Sequence, residues 1–421
     1  MDLTRVDEAY DFKLKCERCG RTVKPRPALN SCPHCGGLLE VEYDYRRIEE
    51  GGGLKVFQSK EDCHQGMWRY APLLPHPRNP SNIVTMGEGA GSLIPLRWLS
   101  DRYGVKLFAR YYGINPTGTH KDLGVSVAVS IAKDLGVDKV LTFSTGNAAT
   151  SITAYCNRAG IRSVIVTRTD VSAEKLANLI TLNATIVMVK GLRDPWSLLQ
   201  SVSGVQLMTN FLNPYRAEGH KTLAYDIFSR LGEGVDFIIE PVGTGGGIWG
   251  TWKGYLELKN YGLVSKLPKL IGVQPEAVKH AVLAFESRKT EAEPFDGGNT
   301  IVQSLADPIP LYGDRRPLAA VYGSNGAMIA VSDEEVLKAI MEIGSEGLFV
   351  EPAAATTLAA LKRGMEEGLI DRGDTVVLSL TGTGLKQPEV ISPGEGNLIK
   401  VELKDAPQII GRMLGGVKVE G

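Results

Sequence analysis

"KVLTFSTGNAATSITAYCNRAGIRSVIVTR" (residues 139–168) decides the fold. A β-branched run, "KVLTF" (139–143), gives way to the helix-length stretch "AATSITAYCNRAG" and then to a second apolar run, "SVIVTR" (163–168). Further out, "SAEKLANLITLNA" reads as another helix and "TIVMVKG" (185–191) as a third strand. Strand, helix, strand, helix, strand at this spacing predicts a parallel sheet covered on both faces.

The same alternation returns at "DFIIEPVG" (236–243), "KLIGVQP" (269–275) and "TVVLSL" (375–380). A helix before the last of these opens at "SDEE" (332–335), where Ser332 and Glu335 have the spacing of a capping box. The expectation is an α/β chain of two α/β units with mainly parallel sheets and a cleft between them. Ligands in such folds sit beyond the carboxyl ends of the strands.

Length and charge agree with that expectation. The chain has 421 residues, more than one core usually serves, and carries 47 basic against 48 acidic side chains. So even a balance gives no reason to expect nucleic acid as a partner. No run of about 18 apolar residues offers a membrane span, and "MDLTRVDEAYDF" lacks the charged-then-apolar order of a signal peptide. A cytoplasmic protein is expected.

Of the six cysteines, four form two close pairs in "CERCGRTVKPRPALNSCPHCGG": Cys16 with Cys19, and Cys32 with Cys35. Two such knuckles converge tetrahedrally on a zinc, and four thiolates leave no position for water, so the metal is structural. The organisation expected is a zinc ribbon at 10–45 and a catalytic region at 46–400 with a smaller α/β subdomain at about 125–215. A C-terminal tail covers 401–421.

Three loops follow predicted strands and combine glycine with small polar side chains: "STGN" (144–147), "GTGGG" (243–247) and "TGTG" (381–384). Such loops let backbone N–H groups crowd around an anion at a helix start. A dinucleotide fingerprint does not fit "GTGGGIWG", because Ile248 stands where the third glycine belongs and no acidic residue follows about 20 positions on. A single phosphate fits better.

"GINPTGTHKDLG" (113–124) then places one lysine, Lys121, at the start of the apolar run "VSVAVSIA". A cation at a helix start opposes the helix dipole, which argues for chemistry there. Pyridoxal phosphate needs an amine for its aldehyde, a glycine-rich loop for its phosphate and a polar partner for its ring nitrogen. Lys121, "GTGGG" and "TGTG" supply the three.

These residues resemble a family. "GINPTGTHKDLG", "FSTGNAATSITAYCNRAGI", "NFLNPYRAEGHKTLAYDI", "PVGTGGGIWGTWKGY" and "SLTGTGLKQP" stand in the order and spacing of threonine synthases, pyridoxal-phosphate enzymes of fold type II. "TMGEGAGSLIPL" (85–96) is similar to a segment of the same enzymes, and many of them carry a Cys-rich N-terminal ribbon. The resemblance implies that Lys121 is the Schiff-base lysine and that Asn147 meets the cofactor's ring hydroxyl. By the same resemblance Gly243, Thr244, Gly245, Gly246 and Gly247 would hold its phosphate, and Thr381 would face its ring nitrogen. The resemblance also implies that Ser144, Thr145, Asn210, Asn213 and Arg216, in matched motifs, lie near where the substrate carboxylate and leaving phosphate should dock. The implied reaction is that of a lyase in threonine biosynthesis, turning O-phosphohomoserine and water into threonine and phosphate. A homodimer is expected.

Four departures keep alternatives open. His120 precedes the lysine where these synthases usually have Phe, as in the tryptophan synthase β-subunit, and Thr383 stands for a common His. "GTGGG" is closer to the loop of dehydratases and cysteine synthases. Asp170 and Glu174 occupy places where Lys and Gly are common, and carboxylates facing a phosphate would repel it. Either they face solvent, or the chain acts on a related amino acid, in the manner of a cysteate synthase on O-phosphoserine or a serine/threonine dehydratase. A silent interaction scaffold is disfavoured by the intact Lys121, Asn147 and glycine loop.

Overall fold

The computed structural model describes residues 10–58, 63–91, 93–144, 146–169, 173–192, 194–210, 212–391 and 398–414, with the side chains of 63–65 and 173–175 outside the description. Thr145, Asp170 and the side chain of Glu174 therefore lie outside the described residues. One compact unit runs to Lys386 and a second begins at Gln387. The second holds a helix, Ala406–Met413. Among the described residues no helix is long and apolar enough to cross a membrane.

The chain opens with a three-stranded antiparallel sheet of β1 (Phe12–Cys16), β2 (Thr22–Val23) and β3 (Leu39–Tyr43), in the order β2-β1-β3. Period-two alternation builds it. Phe12, Leu14 and Cys16 are buried while Lys13 and Lys15 are exposed, and Leu39, Val41 and Tyr43 are buried from the paired strand.

A second sheet begins with β4 (Leu93–Pro95) and β5 (Lys106–Tyr111). The chain then leaves it to build a third sheet from β6 (Lys139–Phe143), β7 (Arg162–Arg168), β8 (Thr185–Val189) and β9 (Gln206–Leu207), ordered β8-β7-β6-β9 and parallel throughout. It returns with β10 (Phe237–Pro241), β11 (Lys269–Pro275), β12 (Ala327–Val331) and β13 (Thr375–Leu380). The second sheet reads β12-β11-β10-β13-β5-β4, parallel except where β4 meets β5. Every residue of β13 is buried, as a central parallel strand requires.

The predicted strands are present, and the Ser332–Glu335 capping box forms with both of its reciprocal hydrogen bonds. The short β9 and the edge strands β4 and β12 carry no pattern strong enough to find in the sequence.

The helix Lys121–Asp134 packs against the helix Asn147–Ala159, and its residues from Asp122 to Ala132 are all buried. Its serines are satisfied: Ser126 Oγ donates to the Val84 carbonyl at 2.7 Å, and Ser130 Oγ accepts from the Val84 amide at 2.8 Å. This helix crosses the short helix Arg216–His220 at backbone contact. A Cβ on Gly124 would come within 2.5 Å of the Arg216 carbonyl, and one on Gly219 within 2.1 Å of the Leu123 carbonyl. Glycine at both positions brings Lys121 close to Arg216 and His220.

The N-terminal sheet is tied to this core by buried charge. Tyr43 donates to Glu218 at 2.7 Å, and Lys253 Nζ donates to the Val41 carbonyl at 2.7 Å and to Glu218 at 2.6 Å. Lys221, fully buried, bridges Glu218 at 2.9 Å and Glu257 at 3.0 Å. Trp249 donates to Glu40 at 3.0 Å, and Arg316 pairs with Glu17 at 2.5 Å, inside the first cysteine knuckle.

Candidate active site

Three helices begin around one cup. The Lys121 helix starts where the turn after β5 is pinned by a bridge between Thr119 and Gly382. The helix Asn147–Ala159 starts after β6, and the helix Gly246–Asn260 starts after β10. Unpaired N–H groups and the positive dipole ends of helices gather there, a setting made for anions.

The glycine loop is built to be approached closely. Gly245 is the N-cap of its helix at φ 76°, and a Cβ there would meet Pro317 at 2.5 Å. A Cβ on Gly246 would come within 3.3 Å of the Asn210 amide, and one on Gly247 within 3.1 Å of Glu240 Oε2 and 3.9 Å of His120 Nε2. Asn210 donates to Thr244 Oγ1 at 2.7 Å, while its Oδ1 is buried without a partner.

Lys121 sits half-buried at the mouth of this cup. Its amine donates to His120 Nε2 at 3.0 Å. His120 Nδ1 faces the Thr381 carbonyl at 3.2 Å, and because a carbonyl only accepts, the proton is on Nδ1 and Nε2 is free to accept from the lysine. Burial, followed by the positive charge of Arg216, pushes the Lys121 amine down to about 8, against the opposing pull of Glu351 and Glu240. His120 and His220, 5.2 Å apart centroid to centroid, are both driven well below the usual histidine range by burial and by Lys121.

The far wall is Arg216, 2% exposed, whose Nη1 donates to the Met208 carbonyl at 2.8 Å. Its Nε and Nη2, and Nε2 of His220, are buried with no partner. Burial lowers the guanidinium to about 10. Unspent donors on a buried cation suit an anionic guest.

Of the residues read from the sequence, Lys121, Asn147, the 243–247 loop, Thr381, Asn210 and Arg216 border this cup. Ser144 caps the Asn147 helix, its Oγ accepting from the Ala149 amide at 3.2 Å. Asn213 is committed elsewhere: its amide donates to the Leu207 carbonyl at 3.1 Å and its oxygen accepts from the Tyr215 amide at 3.1 Å. It shapes the turn that carries Asn210 and Arg216. Glu240, Glu351 and His220 were missed by the sequence reading. Glu240 alone left a signal, a carboxylate inside the apolar run "DFIIEPVG".

Away from the cup, the sulfurs of Cys16, Cys19, Cys32 and Cys35 lie within 4.8 Å of one another. That clustering matches the tetrahedral site expected of two knuckles.

The pattern of the pyridoxal-phosphate dependent enzyme family matches residues 84–382. Threonine synthase of Methanocaldococcus jannaschii is 36% identical over 395 residues, spanning 92% of this chain and 96% of its own. That of Methanosarcina acetivorans is 34% identical over 387 residues, 90% and 93% of the two chains. The chain belongs to the threonine synthase family of pyridoxal-phosphate dependent enzymes. Threonine deaminase isoform 2 from Solanum lycopersicum, in its processed form, shares the fold with a TM-score of 0.62 at 20% identity, over 76% of this chain and 90% of that one. Serine racemase from Dictyostelium discoideum does so at 0.58 and 20% identity, over 69% and 92%. The cradle that a Cβ would fill at 245–247, the unspent Arg216 donors and the softened Lys121 amine fit pyridoxal phosphate.

Proposed function

We propose that the chain converts O-phosphohomoserine and water to threonine and phosphate, with Lys121 as its catalytic base and acid. The observation that carries this reading is the Lys121 amine, pushed down to about 8 at the mouth of a glycine cup lined by a buried cation. An amine that must take and return protons several times works best near the ambient pH.

When bound at Lys121, pyridoxal phosphate would supply the electron sink that acidifies the carbons beside the substrate amine. Gly243, Thr244, Gly245, Gly246 and Gly247 would hold its phosphate, Asn147 its ring hydroxyl and Thr381 its ring nitrogen. Lys121 removes the proton from Cα, then one from Cβ, as phosphate departs from Cγ. Arg216 and Asn210 orient that phosphate, and Ser144 and Thr145 orient the substrate carboxylate, with Asn213 setting the turn behind them. Lys121 returns a proton to Cγ, which becomes the methyl group, water adds at Cβ, and a last proton returned to Cα completes threonine.

The four cysteines hold a structural zinc in a ribbon at 10–45, ahead of a catalytic region at 46–400 and a tail at 401–421. The enzyme works in the cytoplasm as a homodimer on a small amino-acid substrate.

Phosphate release from O-phosphohomoserine, with threonine as co-product, is the deciding assay. Faster phosphate release from O-phosphoserine in the presence of sulfite, or faster deamination of threonine, would replace this reading with a cysteate synthase or dehydratase.

A further inference from the structure

Glu240 lies on β10, 3% exposed, in a strand whose other residues are apolar. Among the described residues it forms no salt bridge, and its Oε1 is buried without a hydrogen-bond partner. Burial disfavours its charged form more than Thr251, Lys121 and Ser379 favour it, so the acid has reason to hold a proton.

The phosphate loop strengthens that reason. Oε2 lies 3.1 Å from where a Cβ on Gly247 would stand, in the first turn of the Gly246–Asn260 helix. A phosphate seated on that helix start and an ionised Glu240 beneath it would compete for one positive dipole end and repel each other. Both can occupy the cup only if the carboxyl is neutral.

The titratable and charged groups facing it are few. Lys121 and Tyr112 act on it directly, and His120, His220, Arg216 and Glu351 stand further round the cup. The neighbouring strands contribute Gly272 and Ser379, and the helix behind contributes Thr251, none of them charged.

Accepting that the cup holds the cofactor as proposed above, we propose that Glu240 is a proton-holding positioning residue that works through Lys121. A Glu240 that keeps its proton withdraws the negative charge that would otherwise favour the Lys121 ammonium, and so leaves the lysine as a free amine. The free amine is then ready to take the substrate proton, and the neutral acid tolerates the phosphate above it. Burial carries the Glu240 acid up to about 7, into the range where it can hold a proton at neutral pH.

Glu240→Gln keeps shape and hydrogen bonding but cannot hold the proton. The variant should retain the visible absorbance of bound cofactor and a KM within about threefold of wild type, while kcat falls roughly tenfold to a hundredfold at neutral pH. Glu240→Asp, which keeps an acid, should recover part of that loss. Infrared spectra of the wild-type holoenzyme at neutral pH should show a protonated-carboxyl band that Glu240→Gln removes. An unchanged kcat and pH profile in Glu240→Gln overturns the proposal. If the variants do not fold, wild-type holoenzyme lacking the protonated-carboxyl band overturns it equally. A wild-type protein with no visible cofactor band would instead sink the functional reading on which it rests.

Discussion

The Asn147 side-chain amide donates to both oxygens of Glu351, at 3.1 and 2.8 Å, and so joins the starts of two helices across the cup. Burial raises the Glu351 carboxyl above its usual range, against the pull of that amide. Asn147→Ala strands a buried acid and should cost about 1–3 kcal/mol, read as a lower urea midpoint. Asn147→Asp should be worse. Two facing carboxyls gain raised folded-state pKa values, so its deficit should widen as pH rises above the unfolded carboxylate range.

Lys121→Ala should fold yet show no visible cofactor band and no turnover. In the cofactor-free wild type, the folded amine titrates at about 8 against an ordinary 10.5, so the unfolded chain binds more protons between those values. Stability conferred by replacing the lysine with Met should be fullest below pH 8 and shrink as pH climbs towards 10.5. Denaturation of both proteins across that range checks the sign.

Cofactor capture needs the free amine. The rate at which cofactor-free protein regains its visible band should rise about tenfold per pH unit below the Lys121 value and level off above it. Stopped-flow absorbance measures this, and a rate independent of pH would assign the bond to another group.

Gly245→Ala places a Cβ at φ 76° and 2.5 Å from Pro317. The strain should cost about 1–3 kcal/mol and lower cofactor retention by a similar free energy. Equilibrium dialysis of the cofactor, compared with wild type, reports the second effect.

Protein prepared without chelator should contain one zinc per chain, lost in Cys16→Ser. Removing the metal should lower the melting temperature, since Glu17 in the first knuckle is paired with Arg316 of the core. Arg316→Ala should reproduce part of that drop with zinc still bound.

Local pattern made the strands "KVLTF", "KLIGVQP" and "TVVLSL" legible, along with the cysteine knuckles and Lys121, because period, spacing and dipole act over a few residues. The roles of Glu351 and His220 were not legible. Glu351 reads as a helix N-cap beside Pro352, and only the fold brings it to Asn147, 204 positions away. His220 depends on two glycines, Gly124 and Gly219, whose purpose shows only when their helices cross. Asn213 misled for the opposite reason, since a polar residue in a matched motif can be spent on its own turn.

The bond from Tyr43 to Glu218 spans 175 positions of chain. On the ribosome, at about 5–20 residues per second, the N-terminal strands therefore wait roughly 9–35 s for the helix that completes them. During that interval the buried face of β3 has no core to lie on. The two cysteine knuckles are local and can close on a metal at once, so they can hold the first strands in register until their partner emerges. A metal held there, far from the chemistry, would thus act on the order of events in synthesis, and metal-starved cells should accumulate this chain as aggregate.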